Sequence, residues 1–234
     1  MGESTCHELG RRGHKVAVVD LNEAAAQRVA DDLRAQGVTA IGVGADVTDR
    51  PAMEDAFAKV RSELGPTTIL VTSAGLFGFS PFVDLSVEAW ERVIAVNLTG
   101  TFHACQLAVP DMLAAGWGRI IMISSSSAQR GSPEMAHYAA SKGGVLSLTR
   151  SLAREYAARG ITVNNIPPSG IETPMQHQQQ AAGILPPTEQ MVANIPIGHM
   201  GTGDDIAAMV GFLSSDEAGF ITGQTIGVNG GSVM

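Results

Sequence analysis

At 234 residues, with 44% hydrophobic and 16% charged side chains and 27 glycines, the chain is too apolar and too weakly charged to be disordered. Its formal charge of −8 is uneven: no Lys or Arg follows Arg159, whereas Glu172, Glu189, Asp204, Asp205, Asp216 and Glu217 do. That excludes nucleic-acid and anionic-membrane surfaces built from clustered cations in this third of the chain. The longest purely apolar runs, such as Ile120-Ile121-Met122-Ile123, are too short to predict a membrane span. No basic segment leads into an apolar one, so no secretory leader is expected. Cys6 and Cys105 are too few for a disulfide framework, which points to a reducing cytoplasm.

Taken in order, the chain alternates β-rich apolar runs with helical patterns. Residues 15–20 predict a buried strand. Residues 22–36 predict a helix with Ala26, Val29, Ala30 and Leu33 at helical spacing and Gly37 closing it. A strand at 39–43 and a helix at 51–64 follow, with Pro51 in the first turn. Then come a strand at 68–72, a long helix at 87–115, a strand at 119–124, a helix at 136–159 and a strand at 161–166. The polar, Pro-containing stretch 167–203 leads to a helix at 204–213 and a last strand around 225–228. Gln176 to Gln180 reads as one solvated helical turn. Strands joined by crossover helices predict a single α/β domain over residues 1–234, a Rossmann-like, doubly wound parallel sheet. Ligands then belong at the carboxyl ends of the strands.

The strongest chemical constellation is Ser125, Tyr138 and Lys142. Tyr138-Ala-Ala-Ser-Lys142 places a phenol and an ammonium at i and i+4 on one helix face. A free phenol titrates near 10, too high for proton transfer at neutral pH, and a neighbouring cation lowers it. Ser125 lies thirteen residues earlier, just past a predicted strand, where its hydroxyl can meet a substrate oxygen. Asp20, at the end of the first predicted strand, suits ribose hydroxyls and repels a 2′-phosphate. Leu21 and Asn22 follow it with no cation, so NAD is favoured over NADP, and Asn22 is free to cap the next helix.

Together these features resemble the short-chain dehydrogenase/reductase family of the Tyr-x-x-x-Lys type, over essentially the whole chain. Val71-Thr72-Ser73-Ala74-Gly75 is similar to the family's Asn-Asn-Ala-Gly turn, and Asn97 falls on its fourth catalytic residue. Pro168-Ser169-Gly170-Ile171-Glu172-Thr173-Pro174 resembles the segment that seats the nicotinamide, and Gly219–Gly223 with Asn229-Gly230-Gly231 the closing segment. The resemblance implies a catalytic set of Asn97, Ser125, Tyr138 and Lys142. It implies NAD contacts from Gly2, Asp20, Leu21, Asp46, Val47, Ser73, Ala74, Gly75, Tyr138, Lys142, Pro168, Ile171 and Thr173. In that scheme Tyr138 exchanges a proton with the substrate oxygen, Ser125 polarises it, Lys142 lowers the phenol pKa and holds the ribose, and Asn97 keeps the proton path. The resemblance also implies a homotetramer built through the long helices at 87–115 and 136–159.

The same register places Met1-Gly2 on the last two positions of the family's Gly-rich loop, with a helix from near Glu3. A first strand and most of that loop, roughly 15 to 20 residues, are therefore expected to be absent from the front of the domain. The substrate cover is expected at about 175–200. It holds Met175, Ile184, Leu185, Met191, Val192, Ile195 and Met200 and no cation. Burying an unpaired anion is costly, so the expected substrate is an uncharged, fairly apolar secondary alcohol or ketone. A 3-oxoacyl-thioester reductase drawing on Arg130 or Arg159 is the alternative, and a non-catalytic dinucleotide-binding relative or inactive fragment is a second. The six histidines lack metal-ligand spacing, so no metal is assigned; His137 points away from its neighbour Tyr138. Cys105, Trp90 and Trp117 read as packing residues.

Overall fold

Short apolar runs and amphipathic stretches become alternating strands and helices throughout the computed structural model, which describes residues 1–234. After α1 (Gly2–Arg11) come β1 (Val16–Asp20), α2 (Glu23–Ala35), β2 (Ala40–Gly44), α3 (Arg50–Leu64) and β3 (Ile69–Thr72). Next are α4 (Val87–Ile94), a π-helical turn at Ala95–Thr99, α5 (Gly100–Ala115), β4 (Gly118–Ile123), α6 (Ser127–Arg130), α7 (Ala136–Tyr156) and β5 (Ile161–Ile166). Three helices close the chain: α8 (Pro174–Ala181), α9 (Thr188–Val192) and α10 (Gly203–Leu213).

Helix α2 buries Ala26, Val29, Ala30 and Leu33, its predicted stripe. Asn22 caps it by accepting from Ala25 N–H, and Gly37 follows it at φ +84°. Helix α10 opens with a capping box in which the Asp205 carboxylate accepts from Thr202 N–H at 2.7 Å.

All strand pairs are parallel, as expected for an α/β domain. The strands form two sheets, however: β1–β2, and β3–β4–β5. No ladder joins β1 to β3. Every residue of β4 and β5 is buried, whereas β3 is half-buried throughout and β1 runs from buried Val16 to exposed Asp20. The helices nevertheless cross this seam. On one face a single core cluster unites Met53, Ala56 and Phe57 of α3 with Ala108 of α5 and Ile120 of β4, and Ala17 of β1 packs against it. On the other face, Cys6 and Leu9 of α1 pack on the β1–β2 side while Met1 packs against Ile206 and its neighbours on the β3–β5 side.

Several sequence expectations change. The helix expected at 87–115 is continuous in direction but interrupted by the π turn, where one extra residue per turn leaves Asn97 wholly buried. This Val87–Ala115 stretch is long and apolar enough to cross a membrane, a property it shares with core helices, and half of its most apolar window is buried within the protein. The last strand is reduced to isolated parallel bridges, Asn165 to Thr225 and Pro168 to Val228, because Gly223 and Gly227 break the extended run. The stretch 167–203 contains α8 and α9, and Gln176 is buried, not solvated. Trp117 packs under Arg119, 4.3 Å from guanidinium carbon to ring centroid, but Trp90 is 37% exposed and lies outside the core clusters.

Gly42 of β2 sits where a Cβ would lie 2.6 Å from the Gln27 backbone of α2. Gly42→Ala is therefore expected to lower unfolding stability by about 1–3 kcal/mol in urea titration, because backbone, unlike a side-chain tip, cannot move aside.

Candidate active site

The carboxyl end of β4 and the first turns of α7 bring the predicted catalytic residues together. Ser125 follows β4 by two residues, is buried, and its Oγ accepts from Ser127 N–H at 3.1 Å. Tyr138 and Lys142 stand one turn apart on α7, with the ammonium 6.0 Å from the phenol ring centroid. Lys142 is buried and donates to the Ile123 carbonyl at the end of β4, 2.9 Å away.

Burial sets the protonation of this pair. It pushes Lys142 down to about 8 and pushes the Tyr138 phenol up, while the Ser125 hydroxyl draws the phenol part of the way back. The lowering of the phenol expected from Lys142 does not enter this balance: burial raises the phenol, and the Ser125 hydroxyl is what draws it back. His137 is also buried, with its own pKa lowered by desolvation. Its Nε2 lies 3.6 Å from where a Gly78 side chain would begin, so it packs against the loop and is no partner to the phenol.

The Asn97 carboxamide makes three hydrogen bonds within the chain. Its Oδ1 accepts from Leu76 N–H at 2.8 Å, and its Nδ2 donates to the Leu76 carbonyl and to Ser141 Oγ, each at 2.9 Å. The loop that follows β3 is thereby tied to the π turn and to α7. A Cβ on Gly75 would stand 3.4 Å from both Asn97 Oδ1 and Lys142 Nζ, so this turn passes directly over the two side chains. Ser141, Leu76 and the aromatic residues after Gly75 escaped the sequence reading. Ser141 sits inside Tyr138-Ala-Ala-Ser-Lys142, and its spacing alone gave no sign of a partner 44 positions away.

The residues expected at a dinucleotide lie around the same edge. Asp20 is exposed at the end of β1, and its Oδ1 accepts from Asn22 N–H at 2.9 Å, while Leu21 is 75% exposed. Asp46 accepts from Thr48 N–H and Oγ1, both at 2.8 Å, which holds its carboxyl below the usual range. Val47 packs on Gly100, and its carbonyl accepts from His103 Nδ1 at 3.0 Å. Gly2 opens α1 beside Ser73, whose Oγ would be 3.6 Å from a Cβ there. Ala74 lies between Ser73 and Gly75. The Pro168 carbonyl accepts from Ser126 N–H, Ile171 bridges to Gly201, and Thr173 Oγ1 caps α8. An exposed carboxylate for ribose, a glycine turn that admits close approach and a buried lysine fit a nicotinamide dinucleotide. Asp20, Leu21, Asp46 and Val47 belong to the part of the chain around β1–β2, Gly2 lies beside Ser73 just past β3, and the other candidates belong to the part around β3–β5. No group of three or more His, Cys, Asp or Glu side chains is placed to hold a metal ion.

A parallel α/β fold carrying Ser, Tyr and Lys at the carboxyl end of a central strand defines an oxidoreductase domain, and comparison with known proteins gives its family. The family model described as Enoyl-(Acyl carrier protein) reductase matches residues 1–232, and the chain belongs to the short-chain dehydrogenase/reductase family. It is 40% identical over 223 residues to 2-(S)-hydroxypropyl-CoM dehydrogenase 3 of Xanthobacter autotrophicus, covering 94% of this chain and 88% of that one. An inactive 2-(S)-hydroxypropyl-CoM dehydrogenase 2 of the same organism is 43% identical over 223 residues, covering 94% and 96%. The 3-oxoacyl-(acyl-carrier-protein) reductase FabG of Escherichia coli is 38% identical over 237 residues, covering 100% and 93%.

The Lys142 shift has a measurable sign. A buried lysine near 8, against about 10.4 unfolded, leaves the unfolded state binding more protons between those values. Its contribution to stability is therefore lost as pH falls through about 8 and complete above the unfolded pKa. Relative to Lys142→Met, the wild-type chain is expected to gain stability between pH 8 and 10.5 in urea titrations, the other titrating groups cancelling in the difference. A difference flat across that window would refute the buried ammonium.

Proposed function

We propose that the chain is an NAD-dependent alcohol dehydrogenase or ketoreductase acting on an uncharged, fairly apolar secondary alcohol or ketone. The observation that carries this reading is buried Lys142 and half-buried Tyr138 on one face of α7 beside buried Ser125 just past β4. A nicotinamide dinucleotide supplies hydride transfer when bound. Asp20 would hold its ribose, Asp46 and Val47 its adenine end, and Ser73, Ala74, Gly75, Pro168, Ile171, Thr173 and Lys142 the remainder. In reduction Ser125 hydrogen-bonds the carbonyl oxygen, and Tyr138 gives that oxygen its phenolic proton as the carbon receives hydride; oxidation reverses each transfer. Lys142, near 8, takes up or releases a proton at little cost around neutral pH and relays it. Asn97 serves by fixing the loop and α7.

A 2-hydroxypropyl group carries a secondary hydroxyl and a 3-oxoacyl group a ketone, so the relatives share one chemical feature on otherwise different molecules. Supporting an uncharged substrate, the cover at 175–200 has no cation, while Ile195 and Met200 are buried and Met175 is 40% exposed. Of the two arginines considered for a thioester carrier, Arg159 precedes β5 and so lies at the amino ends of the strands, about 20 Å from Ser125 at ~3.3 Å per residue. Only exposed Arg130, on α6, stands on the catalytic side. The intact set of Asn97, Ser125, Tyr138 and Lys142 favours a catalyst over a non-catalytic relative.

Tyr138→Phe is expected to abolish turnover, a loss of at least about 10²-fold, while leaving NAD binding by fluorescence titration unchanged and tighter than NADP binding. Activity surviving that change would refute the mechanism, and turnover of 3-oxoacyl thioesters far above that of simple ketones would refute the substrate choice.

Two assembly statements accompany this reading. We propose that one further parallel strand completes the sheet between β1 and β3, with a Gly-rich turn leading from it toward α1. Support comes from the unpaired edges of those two strands beneath helices that cross both faces of the seam. We also propose a cytoplasmic homotetramer, supported by the exposed Val87, Trp90 and Phe102 along α4 and α5 and by two free thiols that burial pushes up to about 11 and about 12. Native mass spectrometry of protein from its natural source tests both. Subunits heavier than 24.3 kDa in groups of four are expected; subunits of 24.3 kDa would refute the added strand, and monomers the tetramer.

A further inference from the structure

The five residues after Gly75 are held at both ends. Leu76 is clamped through its N–H and carbonyl by Asn97, and Ser80 N–H donates to the Glu134 carbonyl at 2.8 Å. Glu134 has φ +60°, the one non-glycine residue of the chain in the left-handed region, a conformation that persists only where surrounding contacts over-determine it. Between these anchors Gly78 lies against His137, so the middle of the loop is backed by α7 itself.

The clamped segment presents a row of rings. Phe77 stands edge-on to the Tyr138 phenol, centroids 6.1 Å apart at 64°, and Phe79 stands on Phe77 at 5.9 Å and 88°. Phe79 is 37% exposed, so the row runs from the phenol out to solvent. Phe77 is therefore the ring placed beside the phenol that a substrate oxygen would meet. Aromatic pairs in offset or edge-to-face geometry gain more than their buried area alone, and a wall anchored at both ends loses little freedom when it is met.

We propose that Phe77 is the specificity-determining residue of this site, selecting secondary alcohols and ketones that carry a planar aryl or conjugated group on the reacting carbon. This rests on the oxidoreductase reading above and narrows it, since an apolar substrate of any shape satisfies a cover without cations. Phe79 backs Phe77 and extends the wall toward the mouth.

The test compares kcat/KM for acetophenone and for 2-butanone in the wild-type chain and in Phe77→Leu, Phe77→Ala and Phe77→Tyr. Leucine keeps the apolar bulk without the ring, and tyrosine keeps the ring. The aryl-to-alkyl ratio is expected to fall about tenfold in Phe77→Leu and Phe77→Ala, through KM more than kcat, and to be retained in Phe77→Tyr. A ratio unchanged across leucine and tyrosine would overturn the assignment while leaving the oxidoreductase reading intact. A wild-type chain that reduces neither ketone nor oxidises the matching alcohols would overturn that reading and this one together.

Discussion

One carboxamide fixes the geometry of the candidate site. Asn97 satisfies both backbone groups of Leu76 and reaches Ser141 on α7, so a single buried side chain joins the loop after β3, the π turn and the helix bearing Tyr138 and Lys142. Buried peptide groups demand partners, and an unpaired one costs more than a formed bond returns. The loop after β3 therefore has one well-satisfied position. With Leu76 fixed, Gly75 must pass over Lys142 and Phe77 must meet Tyr138. The π turn belongs to the same constraint, since it is the local widening that carries Asn97 wholly inside.

That enclosure also governs the proton chemistry. Lys142 and Tyr138 are both displaced by desolvation, each toward its neutral form. A phenol held protonated is the state required to give a proton to a carbonyl oxygen. A lysine near 8 can replace that proton without the cost attached to an ordinary ammonium near 10.4. Because both shifts come from loss of water and neither from a strong ion pair, any charged or polar group entering the site acts on them directly. The site is electrostatically responsive to what binds.

Periodicity and chemistry were legible where the answer lies within one element or one motif. The apolar stripe of α2, the Asn22 cap, and the meeting of Ser125, Tyr138 and Lys142 all follow from spacing along the chain. What escaped depends on contacts between distant segments. Helical spacing does not reveal that Asn97 lies on a π turn, nor that Gln176 is drawn inward with its Nε2 at 3.7 Å from Met191 Sδ. It cannot separate an apolar residue buried in the core, such as Cys105, from one left on the surface, such as Trp90, since both satisfy the same pattern. The closing segment reads as a strand from its β-formers, yet its glycines leave only bridges to the β5 side. The placement of Arg159 was recoverable from strand order, because a residue that precedes a parallel strand lies at the end opposite its catalytic edge.

The seam between the two sheets divides the site into parts with different mechanical support. Asp20 and Asp46 stand on the β1–β2 side, and Ser125, Tyr138 and Lys142 on the β3–β5 side. The catalytic part is fastened internally by Asn97 and by the Lys142 bond to β4. The two parts are held to each other by helices. Arg61 of α3 grips both carboxylate oxygens of Asp111 on α5 at 2.9 Å, while Asp111 also accepts from Thr67 N–H at the entry to β3. A dinucleotide reaching from Asp20 to Lys142 has to span this seam, so its affinity depends on how firmly the sheets are registered. The chemical step depends on the clamped side alone. On the proposed reading, cofactor affinity and proton transfer are thus separable, governed by different contacts, and a change that loosens the seam would weaken the first without moving the atoms assigned to the second.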